Sequence, residues 1–150
     1  MTLSIMNEFG IEYTFNGNEI EIKNQKYIAK DFFVESDWSA ASYYFSMAAI
    51  AEEAEITLKG LVKNSLQGDS AIIDIAEKFG VSTTYGVREI FIKKDKSSKH
   101  QDFIEYNFIE QPDIAQTVFT MCAGLNIKGL FSGLQTLYIK ETDRIGAFKT

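Results

Sequence analysis

A chain of 150 residues with 45% hydrophobic and 13% aromatic content is long enough to bury one sizeable core or two small ones, which excludes a disordered or low-complexity protein. The formal charge of -6, without any Lys/Arg-rich block, excludes a nucleic-acid partner and leaves room for an anionic ligand only in a local basic pocket. No apolar run reaches the roughly 18 residues of a membrane span and no charged-then-apolar leader opens the chain, so the cytoplasm is the expected compartment.

In chain order, "LSIMNEFGI" reads as the end of a helix stopped at Gly10, and "IEYTFNGNEIEIK" as a hairpin. "DWSAASYYFSMAAIAEE" reads as a helix capped by Ser36 or Asp37, with Tyr43, Tyr44, Phe45 and Met47 in the core. "EITLKGL" is β-like, "KNSLQGDS" is a polar connection whose "QGDS" opens a helix, and "SAIIDIAEKFGV" is that helix. It carries apolar Ile72, Ile75, Ala76 and Phe79, with Gly80 as its stop. "STTYGVREIFIKK" reads as a second hairpin, and "KKDKSSKHQD" as a solvated loop. His100 in that loop has no Cys or His partner, so no metal site is expected. Pro112-Asp113 opens the helix "DIAQTVFTMCAGLN", placing Val118, Phe119, Met121 and the single cysteine, Cys122, in the core. "GLFSGLQTL" is β-like, and a last helix is expected to start near Glu141.

These elements repeat. "GLVKNSLQGDSAI" from Gly60 and "GLQTLYIKETDRI" from Gly133 share the Gly-Leu start, an aliphatic at Leu66 and Ile139, and an isoleucine at Ile72 and Ile145, 73 residues apart. Each follows a helix opened by an aspartate, Asp37 or Asp113, and Phe9-Gly10 matches Phe79-Gly80. The repeated unit is thus helix, strand, polar connection, helix. One complete unit is expected over about residues 31–100 and most of another over 101–150, with residues 1–30 as the end of a preceding unit. The phase of the repeat leads us to expect a fragment of a longer protein.

The two units differ in their polar connections. Where the first has "NSLQGDS", the second has "IKETDRI", with Lys140 and Arg144 four residues apart. Two readings stand at this point. The turn is either a solvated helix face with minor ion pairs, or a helix N-terminus whose free N–H groups and added cations suit a phosphate or carboxylate. Asp113 is likewise either a helix cap or a base.

The residues also resemble a known family. "KETDRI", with an aspartate 27 positions before its lysine, resembles the 5-enolpyruvylshikimate-3-phosphate synthases (3-phosphoshikimate 1-carboxyvinyltransferases). "SDWSAASYYFSMAAI", "NSLQGD" and "PDIAQTVFTMCA" match further segments of the family in the same order. The resemblance implies an α/β (α+β) fold of repeated βαβαββ units, with helices packed inside against sheets and an active site in a cleft between two domains. This chain would hold mainly the first two units of the second domain. The implied partners are shikimate 3-phosphate and phosphoenolpyruvate, with no cofactor and no metal. The whole protein is expected to be monomeric, whereas the fragment could self-associate and is expected to be inactive alone.

By matching positions, Asp113 resembles the proton acceptor at the 5-hydroxyl and a contact of shikimate 3-phosphate, and Glu141 the partner acid/base. Lys140 resembles a shikimate 3-phosphate ligand and Arg144 a phosphoenolpyruvate ligand. Thr136 departs from the asparagine that many relatives carry. The alternatives are a UDP-N-acetylglucosamine enolpyruvyl transferase, which lacks the Lys-Glu-Thr-Asp-Arg signature, and a non-catalytic binding domain of the same fold.

Overall fold

The computed structural model describes residues 1–148, the last by its backbone alone. It divides into two units, residues 1–34 and the residues from Glu35 onward. In the first unit, α1 (Thr2–Glu8) precedes an antiparallel hairpin of β1 (Thr14–Asn16) and β2 (Glu19–Glu21). The chain leaves α1 through Gly10 at φ 82°, where the Ile11 N–H donates back to the Met6 carbonyl (3.1 Å). Only a residue free to take positive φ closes a helix in this way.

The second unit starts with α2 (Trp38–Ile50), β3 (Ala54–Lys59) and a 3-10 turn (Gly68–Ala71) that leads into α3 (Ile72–Glu77). α3 ends as α1 does: Gly80 lies at φ 79° and the Val81 N–H donates to the Ala76 carbonyl (3.1 Å). β4 (Ser82–Tyr85) and β5 (Glu89–Lys94) follow, giving an antiparallel sheet in the order β3-β5-β4 with Ile56 opposite Ile92. Next come β6 (Phe103–Asn107), a 3-10 turn (Pro112–Ile114), α4 (Ala115–Leu125) and β7 (Lys128–Ser132), which pairs parallel to β6. A 3-10 turn (Gln135–Tyr138) and α5 (Arg144–Phe148) close the described chain.

The two glycines matched in sequence, Gly60 and Gly133, have the same backbone conformation, with positive φ of 85° and 72°. A Cβ on either would collide with the segment ahead of its helix, at Ser36 Oγ in one case and at Asn107 Oδ1 and the Ile109 N–H in the other. The repeats differ in their first strand. Ahead of α4 it is β6, but the stretch leading directly into α2 forms no strand, and its Ser36 N–H donates to the Gly60 carbonyl (2.8 Å).

Helices and sheets share one core in this unit, built on Trp38, Phe45, Phe79, Ile90 and Ile92 from the first repeat and Ile104, Phe108, Val118 and Met121 from the second. α2 and α4 lie against each other, with the buried Ser42 and Thr117 hydroxyls 2.9 Å apart and Gly124 leaving room for Ile50. Cys122 is buried as expected, and burial pushes its thiol up to about 11, far from a reactive thiolate at neutral pH.

Three expectations need correction. Tyr43, Tyr44 and Met47 are not core residues: Tyr43 is 63% and Met47 60% exposed, because α2 is apolar on all sides and only its Trp38, Ala41, Phe45 and Ala48 face meets the sheet and α4. Phe119 is only partly buried, lying on Phe131 with ring centroids 4.9 Å apart. Lys94, where the hairpin stretch and the polar loop overlap in sequence, belongs to the strand and is not solvated. It continues the inward alternation of Ile90 and Ile92, is 8% exposed, and donates its ammonium to the Ala49 carbonyl at the end of α2. Burial pulls its pKa below the ordinary lysine range.

Candidate active site

In the first repeat the polar connection is tied to the head of α2 by neutral and charge-assisted hydrogen bonds. The Asp37 carboxylate accepts the Ser39 N–H (2.8 Å) and the Ala40 N–H (3.3 Å), which makes it an N-cap. Gln67 accepts the Trp38 N–H (2.9 Å) and donates to the Ser36 carbonyl (2.9 Å). Glu35 accepts from Ser65 (2.7 Å) and from the Trp38 indole (3.2 Å). Asp37 and Gln67 are committed to holding the backbone, and Glu35 ties the connection to α2 through the Ser65 and Trp38 side chains.

The second repeat is built otherwise. Asp113 sits in the 3-10 turn ahead of α4 but makes no capping bond to the helix. Its Oδ1 instead meets Lys140 Nζ at 3.0 Å and Arg144 Nη1 at 3.7 Å. Arg144 also donates to Gln116 Oε1 (3.3 Å) and to Glu141 Oε2 (2.6 Å). The four residues singled out from sequence, Asp113, Lys140, Glu141 and Arg144, are therefore gathered into one network. Its members are partly open to solvent, from 22% exposure at the Arg144 side chain to 75% at Glu141.

The last helix begins at Arg144, not near Glu141. Asp143 takes the capping position, its Oδ1 accepting the Gly146 N–H (2.8 Å), so Lys140 to Asp143 form a bend ahead of the helix. The consequence is that Arg144 projects from the first helical turn while Lys140 and Glu141 reach from the bend. Thr136 lies in the preceding 3-10 turn with an exposed side chain, and its carbonyl accepts the Ile139 N–H.

The charges act on one another. The hydrogen bond from Arg144 holds the Glu141 carboxyl below its ordinary value, and Glu141 in turn keeps Arg144 firmly protonated. Sequence reasoning missed Asp69 and Ser39 as neighbours of this network. Ser39 Oγ donates to Asp69 Oδ2, and Asp69 is raised above its ordinary value by burial, with the nearby Asp113 and Asp37 adding to the shift and Ser39 and Lys140 opposing it. No spacing in the sequence points to this contact, since it links the head of one helix to a connection 30 residues on.

Among the described residues no group of three or more His, Cys, Asp or Glu side chains converges as a metal site, and no helix is long and apolar enough to cross a membrane. A hollow of about 470 Å³ in the first unit contains none of the candidate residues, and Gln25 on its wall is bonded to the backbone of Glu12 and Lys23.

Helices packed against antiparallel and parallel sheets, and a carboxylate held between two cations ahead of α5, define an α/β domain with a partly open cluster of paired charges. The comparisons with known proteins are consistent with that class and narrow it. The sequence pattern of the EPSP synthase (3-phosphoshikimate 1-carboxyvinyltransferase) family matches residues 1–150, and the chain belongs to this family. A 3-phosphoshikimate 1-carboxyvinyltransferase of Bacteroides fragilis is 42% identical over 151 residues, covering 100% of this chain and 36% of that protein. The enzymes of the same name from Methanosphaera stadtmanae and Haemophilus influenzae are 35% and 33% identical, covering 97% and 100% of this chain and 34% of each protein. The chain thus spans about a third of the length of the curated relatives it matches.

Proposed function

We propose that this chain supplies one wall of an enolpyruvyl-transfer site, which in a full-length protein moves the enolpyruvyl group of phosphoenolpyruvate to the 5-hydroxyl of shikimate 3-phosphate and releases phosphate. This would be a cytoplasmic, monomeric enzyme of aromatic amino-acid biosynthesis that uses no cofactor. Residues 1–30 would end the preceding domain, and residues 31–150 would form two of the units of the next. The observation that carries the proposal is Asp113, a carboxylate at a helix head that caps nothing and lies between Lys140 and Arg144.

The proposed roles follow from that geometry. Lys140 turns to shikimate 3-phosphate, which frees Asp113 Oδ1 to take the proton of the 5-hydroxyl as its oxygen adds to the enol carbon of phosphoenolpyruvate. Arg144 offers a planar guanidinium to the phosphoenolpyruvate carboxylate. On doing so it gives up Glu141, whose pKa is low because of that hydrogen bond. Released from Arg144, Glu141 becomes basic enough to carry the proton exchanged at the methylene carbon. It gives that proton to the methylene carbon as the C–O bond forms and takes one back from the resulting methyl group as phosphate leaves the tetrahedral adduct, which restores the double bond.

The test is turnover of the full-length protein with phosphoenolpyruvate and either acceptor, followed by phosphorus NMR. Product and free phosphate are expected with shikimate 3-phosphate and none with UDP-N-acetylglucosamine. The 150 residues alone are expected to give no product, because the second wall of the cleft is not in this chain. Reaction with the UDP-sugar, or with neither acceptor, contradicts the proposal.

A further inference from the structure

The roles above ask Arg144 to exchange Glu141 for the carboxylate of phosphoenolpyruvate, and they leave open what keeps its guanidinium in place meanwhile. Nη2 donates to Glu141 Oε2 (2.6 Å), Nη1 donates to Gln116 Oε1 (3.3 Å), and Asp113 Oδ1 lies 3.7 Å from Nη1. Glu141 is mostly exposed on the bend ahead of α5, and Asp113 lies closer to Lys140 than to Arg144. Gln116 differs from both. It stands in the first turn of α4, one turn beyond Asp113, and its side chain is half-buried. The residues on either side of it, Ala115, Thr117 and Val118, are buried in the core and fix that turn. Its amide carries no charge.

A charged acceptor that holds an arginine has to be displaced when an anionic ligand arrives, and the strength of that pair is subtracted from the ligand's affinity. A neutral acceptor takes up one N–H and leaves the guanidinium its full charge, so it steadies the group without competing for it. We propose that Gln116 is the positioning residue for Arg144: its amide oxygen keeps Nη1 and holds the guanidinium toward the site while Glu141 gives way to the ligand's carboxylate. This rests on the enolpyruvyl-transfer reading of the site. Gln116 touches no reacting atom in the scheme and acts on phosphoenolpyruvate through Arg144 alone.

Gln116→Met keeps the length of the side chain and removes the acceptor. In the full-length protein it is expected to raise the KM of phosphoenolpyruvate roughly three- to tenfold, with kcat and the KM of shikimate 3-phosphate within about twofold of the parent. Gln116→Glu has the same shape and keeps the acceptor but adds a charge that competes with the ligand, so it is expected to raise the KM of phosphoenolpyruvate at least as far. A purely structural role would move both KM values together with the thermal midpoint. That outcome, an unchanged KM of phosphoenolpyruvate in Gln116→Met, or parent values in Gln116→Glu overturns the proposal. A second measurement needs no ligand: nitrogen-15 NMR of the Arg144 guanidinium in this 150-residue chain. With both Nη groups bonded, rotation about the Cζ–Nη bonds is hindered, and it is expected to quicken in Gln116→Met. Equal rotation in parent and variant overturns the proposal even if the full-length protein turns over. A full-length protein that binds no phosphoenolpyruvate defeats the functional reading, while the NMR comparison still decides whether Gln116 holds Arg144.

Discussion

The two polar connections occupy the same station in successive repeats and are put to opposite uses. In the first, Gln67 closes on the backbone of Ser36 and Trp38, and Asp37 caps α2. In the second, the position that matches Gln67 is Lys140, and it meets a side chain, Asp113, that has no capping duty. Where polar groups are committed to backbone partners they stabilise the fold and are not free to rearrange. Where they are paired with one another at a partly open surface, each pair contributes little to stability, about 0–1 kcal/mol, and can exchange its partner for a ligand. The repeat therefore contains its own control: matching connections with and without a cluster of paired charges.

That contrast can be broken at either end. The largest effect is expected from Glu141→Gln in the second repeat, which should lower turnover of the full-length protein by on the order of 100- to 10,000-fold while leaving thermal unfolding unchanged; loss of both together would mean that the turn is structural. In the first repeat, Gln67→Leu strands the Trp38 N–H and should cost about 1–3 kcal/mol in urea unfolding. Lys140→Met at the matching position should cost under about 1 kcal/mol. Asp37→Ala removes a helix cap and should cost about 1 kcal/mol, whereas Asp113→Ala, with no cap to lose, should leave the midpoint nearly unmoved.

The smallest effect concerns Asp69, which belongs to the first repeat by sequence and faces the second. Its folded pKa is raised, chiefly by burial, so its protonated form favours the fold. That contribution is complete below the ordinary carboxyl value of 3.8 and is lost as the pH rises through the raised folded value, so ionised Asp69 opposes folding at neutral pH. Asp69→Asn is thus expected to melt slightly higher than the parent at pH 7, and the gap should close as the pH falls below 3.8. A gap that persists or widens in acid would show that the carboxylate is not held against its burial.

Much of this was legible in the residues because it is locally encoded. The Asp37 cap, the Gly10 and Gly80 helix ends and the Gly60–Gly133 pair each depend on a few neighbouring positions, and the 73-residue spacing carries them from one repeat to the next. The charged turn was legible as a cluster, but not its helix boundary, since both Glu141 and Asp143 suit a helix start and only the bond to Gly146 decides between them. The burial of Lys94 was missed although Ile90 and Ile92 point to it by alternation, because a lysine beside a polar loop reads as solvated. The outer face of α2 was misread for a different reason: Tyr43 and Met47 are as apolar as Phe45, so periodicity could not say which side is covered. Asp69 was beyond reach, because its significance lies in contacts between segments far apart in the chain.

Under the proposed function, the charges that carry no structural duty in the second repeat act on a ligand. Asp113→Asn in the full-length protein tests it most directly, with turnover and the thermal midpoint measured on the same preparation. Formation of enolpyruvylshikimate 3-phosphate is expected to fall by roughly a thousandfold while the midpoint stays within about two degrees of the parent. Turnover at the parent's rate, or an activity loss matched by unfolding, would contradict it.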